Sequence, residues 1–137
     1  EPDSLTPGSH TDAFAETVDV YPTLCELAGL PAPEVPQAID GLSLLPVLKD
    51  PTQSVRDHAY HAYPRRGVLG RAIRTERYRM VEWQPFNGDE QDAQYELYDY
   101  EADELEQVNI ADRQPEVLAE LKTILNSHPA PARYRGN

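Results

Sequence analysis

Apolar residues along this chain change their spacing twice, and each change marks a different kind of element. From Asp19 to Leu27 the residues Val20, Tyr21, Leu24 and Leu27 recur at helical intervals. This predicts a helix with Asp19 as its cap, Pro22 tolerated in the first turn and Gly29 as the stop. Three prolines between Pro31 and Pro36 then break the chain. A second short helix is expected over Ser43 to Leu48, after Asp40-Gly41 and before Asp50-Pro51. From Asp57 the pattern becomes alternating and aromatic. Tyr60 to Tyr63, Ala72 to Arg74, Tyr78 to Trp83 and Glu96 to Tyr100 read as strands, with Pro64, Gly67, Gly70 and Thr75-Glu76 as the breaks between them. Pro115 to Leu125 returns to the helical period, with Val117, Leu118, Leu121, Ile124 and Leu125 forming one stripe.

The predicted fold is α+β: a small antiparallel sheet of about four strands, of the usual five or six residues each, covered on one face by the C-terminal helix. Residues 1–16 read as an extended lead-in, 17–50 as a helical segment, 51–128 as the sheet with its helix, and 129–137 as a flexible tail. A chain of 137 residues is long enough for one compact core. Thirteen prolines point to much irregular chain running over it.

Composition narrows the partners. A formal charge of −12 argues against nucleic-acid binding, which depends on clustered cations that neutralise phosphates. No apolar run approaches the roughly 20 residues needed to cross a bilayer, so no membrane partner is expected. Cys25 is the single cysteine and has no partner within the chain for a disulfide or a thiolate metal cluster. A packing role as a small buried hydrophobe in the first helix is the reading it favours.

Charge order is more informative than net charge. Half of the twelve basic residues lie between Arg65 and Arg79, and all six are arginine: Arg65, Arg66, Arg71, Arg74, Arg77 and Arg79. Planar paired donors suit carboxylate and sulfate oxygens, so the cluster fits oxyanion recognition. Salt-bridging of an exposed strand face is the other reading, favoured for Arg74, Arg77 and Arg79. Alternation prevents all six from forming one patch. Arg65 and Arg66 differ because they follow His61-Ala62-Tyr63-Pro64 at a strand end that breaks into a loop, where binding residues are commonly displayed. His61 is either a ligand contact or an ordinary exposed histidine, and Tyr63 either binds or packs. The nine acidic residues from Asp89 to Glu106 contain no calcium-loop spacing and read as a solvated loop. No nucleophile can be assembled: Ser43 and Ser54 lack an elbow motif, and His10, His58, His61 and His128 form no compact ligand pair.

Two ordered segments carry a resemblance. Val18-Asp19-Val20-Tyr21-Pro22-Thr23-Leu24 running to Leu27-Ala28-Gly29, followed by Asp40-Gly41-Leu42-Ser43-Leu44-Leu45-Pro46-Val47-Leu48, resembles the type I sulfatases of the alkaline phosphatase superfamily. Tyr63-Pro64-Arg65, Gly70 to Thr75, Tyr78-Arg79 and Trp83 look most like the iduronate-2-sulfatase branch. Glu96-Leu97-Tyr98-Asp99 and Glu104 to Asn109 are similar to a strand-and-turn motif of the same family. The resemblance implies that the first helix belongs to a larger α/β domain and that the chain is a C-terminal part, marginally stable alone. It also implies a nucleophile and calcium site in an N-terminal portion. That portion would be the partner of this chain, with a sulfated glycan as substrate, in a periplasmic, extracellular or lysosomal setting. Formylglycine and calcium would be the cofactors, with neither bound by this chain, since Cys25-Glu26-Leu27-Ala28-Gly29 departs from the C-x-P-x-R sequence. The residues implied to touch substrate are His61 and Arg65, then Tyr63, Arg66 and Arg71. A phosphodiesterase or phosphonate hydrolase of the same superfamily, or a noncatalytic interaction module, are the alternatives.

Overall fold

The computed structural model describes residues 8–31, 36 and 39–129. The lead-in before residue 8, most of the Pro31–Pro36 break and the tail from residue 130 therefore lie outside the described residues. The chain forms two units, one ending at Ala59 and one beginning at Tyr60.

In the first unit a 3-10 turn, Thr17–Asp19, leads into α1, Val20–Leu27, and a short α2 spans Leu45–Lys49. Gly29 ends α1 as expected, with φ +67. Leu30 N–H donates to the Cys25 carbonyl and Gly29 N–H to that of Glu26, the paired bonds of a Schellman turn. Asp19 does not cap α1. Its backbone is helical, and its fully buried carboxylate accepts from Glu16 N–H at 2.7 Å, Leu42 N–H at 2.8 Å and the Arg56 guanidinium. Thr23 adds a second tie: its hydroxyl donates to the Asp19 carbonyl and accepts from Leu44 N–H at 2.8 Å. Gly41 completes this clasp. A Cβ there would fall 2.0 Å from the Val18 carbonyl oxygen, so only glycine lets the two backbones approach. Val20, Tyr21, Leu24 and Leu27 of α1 are left exposed.

The second unit is a four-stranded antiparallel meander, β1 Ala59–Arg65, β2 Val68–Arg74, β3 Tyr78–Pro85 and β4 Gln94–Asp99, in spatial order β1-β2-β3-β4. A 3-10 turn at Glu90–Asp92 precedes β4, and α3 spans Pro115–Leu125. The stripe on α3 packs Leu121 and Leu125 onto Ile73, Met80 and Leu97, with Val117, Leu118, Ile124 and Tyr60 around them. Each fully buried side chain in that layer contributes about 2 kcal/mol.

Two expected breaks lie inside strands. Pro64 belongs to β1, where an edge strand tolerates its missing N–H. Gly70 belongs to β2 opposite Trp83, whose ring lies against it; a Cβ at Gly70 would meet that ring at 2.5 Å. The loop expected after Tyr63 shrinks to Arg66-Gly67, the residues between β1 and β2.

Beyond β4 the chain is tied by its own side chains. Asn109 accepts from Leu97 N–H and Ala111 N–H, each at 3.0 Å, and donates to the Tyr95 carbonyl, filling part of the open edge of β4. Asp103 accepts from the Gln107 and Val108 amides. The polar residues of the Glu96–Asn109 motif are thus mostly scaffold.

Candidate substrate-contact hairpin

The tip joining β1 to β2 needs left-handed backbone at both central residues, and Arg66 has φ +28 and Gly67 φ +86. Positive φ at both positions gives the primed turn whose twist matches a two-residue hairpin. Tyr60 of β1 packs against the core under α3. By strand alternation His61, Tyr63 and Arg65 share the opposite face. The His61 and Tyr63 rings are 6.4 Å apart and nearly parallel. All of His61, Tyr63, Arg65 and Arg66 are exposed.

The six arginines separate by what holds them. Arg71 lies on the helix side of the sheet, 6% exposed, where its Nε and Nη2 donate to Glu82 Oε1 at 2.9 and 2.6 Å. The structure therefore does not bring Arg71 together with the other four sequence-chosen residues. Its parity matches Ile73, which fixes that side of β2 toward the core. Arg77 pairs with Asp99 and Glu101. Arg79 pairs with Glu106, which also accepts the Tyr100 hydroxyl. Arg74 lies 3.7 Å over the Tyr100 ring and donates to the Glu76 carbonyl. Among the described residues, Arg65 and Arg66 have no carboxylate partner; Arg65 instead sits 6.0 Å from the Trp83 ring centroid.

Sequence reasoning did not single out Trp83 or Glu96 as part of this face. Trp83 Nε1–H donates to Glu96 Oε1 at 3.1 Å, and the Tyr98 hydroxyl donates to Glu96 Oε2 at 3.2 Å. The available signal was the glycine in β2, since a strand glycine commonly marks a place where an aromatic ring lies across the backbone.

This arrangement can hold an oxyanion through exposed guanidinium groups beside aromatic rings. Among the described residues the candidate nucleophiles serve other roles. Ser43 Oγ accepts from Leu45 N–H and Ser54 Oγ donates to the Arg56 carbonyl, so both hydroxyls serve local turns. Cys25 is half-buried in α1 and lacks the sequence that formylglycine formation requires. Among the described residues no group of three or more His, Cys, Asp or Glu side chains is placed to hold a metal ion. Asp99 and Glu101 instead pair with Arg77, Glu106 with Arg79 and Tyr100, Glu96 with Trp83 and Tyr98, and Asp103 with backbone amides. The residues present thus do not fit calcium or formylglycine. Among the described residues no helix is long and apolar enough to cross a membrane.

Residues 1–130 match the family described as N-sulphoglucosamine sulphohydrolase, C-terminal. The chain belongs to this sulfatase C-terminal family. It is similar to a Delta 4,5-hexuronate-2-O-sulfatase of Bacteroides thetaiotaomicron, 33% identical over 120 residues, which are 82% of this chain and 23% of that protein. An N-acetylglucosamine-6-O-sulfatase of the same organism is 32% identical over 117 residues, 80% of this chain and 20% of that one. Among solved structures, a protein in complex with its substrate D-glucosamine-2-N,6-O-disulfate superposes with TM-score 0.74 at 29% identity, over 92% of this chain and 26% of its own. The chain thus spans about a fifth to a quarter of the length of the relatives it matches. These likenesses support the four-stranded sheet with its C-terminal helix as a sulfatase C-terminal fold. They do not separate out the iduronate-2-sulfatase branch.

Proposed function

We propose that this chain is the C-terminal portion of a sulfatase that hydrolyses sulfate esters on an acidic, uronate-containing glycan. It contributes the His61–Arg66 hairpin to the substrate pocket. The nucleophile and the calcium site belong to an N-terminal portion of the same enzyme. In this reading Arg65 engages a carboxylate or sulfate of the sugar, Arg66 adds positive charge at the turn, and His61 and Tyr63 line the approach.

One observation carries the reading. Of six arginines clustered in sequence, four are occupied within the unit, while Arg65 and Arg66 at the hairpin tip have no carboxylate among the described residues. Exposed guanidinium without an internal acid is what an incoming oxyanion requires. The uronate preference draws support from the hexuronate-2-O-sulfatase relative.

The test is kinetic, on the complete enzyme with a 2-O-sulfated hexuronide and an aryl sulfate that lacks a carboxylate. Arg65→Ala is expected to lower kcat/KM on the hexuronide by about tenfold or more, the worth of a charge-assisted hydrogen bond. Unchanged kcat/KM on every sulfated uronide would remove the hairpin from the pocket.

A further inference from the structure

We infer that Trp83, fixed by Gly70 and Glu96, is a positioning residue that sets the direction of the Arg65 guanidinium toward an anionic sugar. This inference rests on the substrate-contact reading of Arg65.

Arg65 is the last residue of β1, next to a two-residue turn, and is exposed with a long side chain. Such a side chain samples many rotamers, and ordering it on binding costs entropy. A fixed neighbour reduces that cost by narrowing the range beforehand. Trp83 is such a neighbour. Its ring lies so close to Gly70 that no side chain could stand there, with a Cβ at Gly70 falling 2.5 Å from ring carbon Cζ3. The ring edge is tethered by the Nε1–H bond to Glu96 Oε1 at 3.1 Å. Glu96 is itself steadied by the Tyr98 hydroxyl on its other oxygen. Contact beneath and a hydrogen bond at the edge leave the indole little freedom, and the Arg65 guanidinium lies 6.0 Å from the ring centroid, at the limit of cation–π attraction.

The other cations on this face have different anchors. Arg79 lies 5.0 Å from the Tyr98 ring centroid, but its charge is taken by Glu106. Arg74 over Tyr100 also donates to a backbone carbonyl. Only at Arg65 does the described structure provide an aromatic support and leave every guanidinium N–H for a ligand. Trp83 thus orients a charge without neutralising it, which glutamate in its place would do.

The experiment compares kcat/KM of the complete enzyme on a 2-O-sulfated hexuronide with that on an aryl sulfate that lacks a carboxylate, for Trp83→Leu, Trp83→Phe, Glu96→Ala and Arg65→Ala. Positioning predicts that Trp83→Leu lowers the hexuronide-to-aryl-sulfate ratio about fivefold, mainly through KM, and that Trp83→Phe recovers most of it. Glu96→Ala, which frees the indole but keeps it, lowers the ratio in the same direction. Its circular dichroism serves as the folding control should Trp83→Leu prove unstable. A merely structural role would lower both substrates equally and leave the ratio unchanged, which overturns the inference. If Arg65→Ala lowers the ratio while Trp83→Leu and Glu96→Ala do not, the positioning idea fails and the pocket reading stands. If Arg65→Ala leaves kcat/KM on the hexuronide unchanged, both fall together.

Discussion

Arg71 and Glu82 face each other across β2 and β3 and form a double hydrogen bond through one carboxylate oxygen, at 2.9 and 2.6 Å, with both side chains almost sealed from solvent. The second oxygen of Glu82 accepts the Tyr95 hydroxyl at 3.1 Å. A buried pair of this kind is costly to break from one side, because the remaining charge stays desolvated. Arg71→Ala and Glu82→Ala are each expected to destabilise the sheet unit by about 3 kcal/mol, whereas Arg71→Met with Glu82→Leu should stay within about 1 kcal/mol of the parent. Urea titrations followed by far-ultraviolet dichroism decide it. Single variants costing less than about 1 kcal/mol would mean the pair is wetter than its geometry implies.

Gly41 and Gly67 are required for different reasons, and substitution separates them. At Gly67 the space is open and only the φ of +86 resists a side chain, so Gly67→Ala should cost about 1 kcal/mol. At Gly41 the obstacle is the Val18 backbone, which cannot rotate away, and Gly41→Ala should cost about 3 kcal/mol or more in the first unit. Amide exchange at Leu42 and Leu44, whose N–H groups bond Asp19 and Thr23, should accelerate in Gly41→Ala and not in Gly67→Ala. Equal exchange in the two variants would refute the clasp.

Acid should loosen the sheet unit through Glu106. Hydrogen bonding from Arg79, more than that from Tyr100, holds this carboxyl below the ordinary glutamate range despite an opposing effect of burial. A carboxyl depressed in the folded state stabilises above its unfolded value, about 4.3, and that contribution is lost as pH falls through the folded value. Asp99, lowered by Arg77, acts with the same sign. Glu106→Gln is therefore expected to lower stability at pH 6 and to flatten the decline below about pH 4. Urea midpoints measured from pH 6 to pH 3 test it; an unchanged acid slope in the variant would contradict the assignment.

The sequence was most legible where one short-range pattern decided the outcome. The stripe from Val117 to Leu125 predicted α3 at the bounds observed, because helix period and capping are local. It was less legible where the deciding partner lies far along the chain. Asp19 looks like a cap to its neighbours, yet its carboxylate answers to Leu42 and Arg56, 23 and 37 residues away. Pro64 and Gly70 read as breaks because each weakens a strand alone. An edge position excuses the proline, and Trp83 across the ladder gives the glycine its reason. Among the site residues, only parity with Ile73 could have moved Arg71 out of the group, and only pairing with β3 could have added Trp83.

The order β1-β2-β3-β4 has a further consequence, in time rather than in space. Every strand pairs with the one beside it in sequence, and the first connection is just Arg66-Gly67. Such a sheet closes as a succession of short loops, each with a small entropic barrier, which is the topology of rapid assembly. Arg66, held at an unfavourable backbone angle, is the toll at the first of these closures, so a glycine or asparagine there should make the hairpin form sooner as well as hold better.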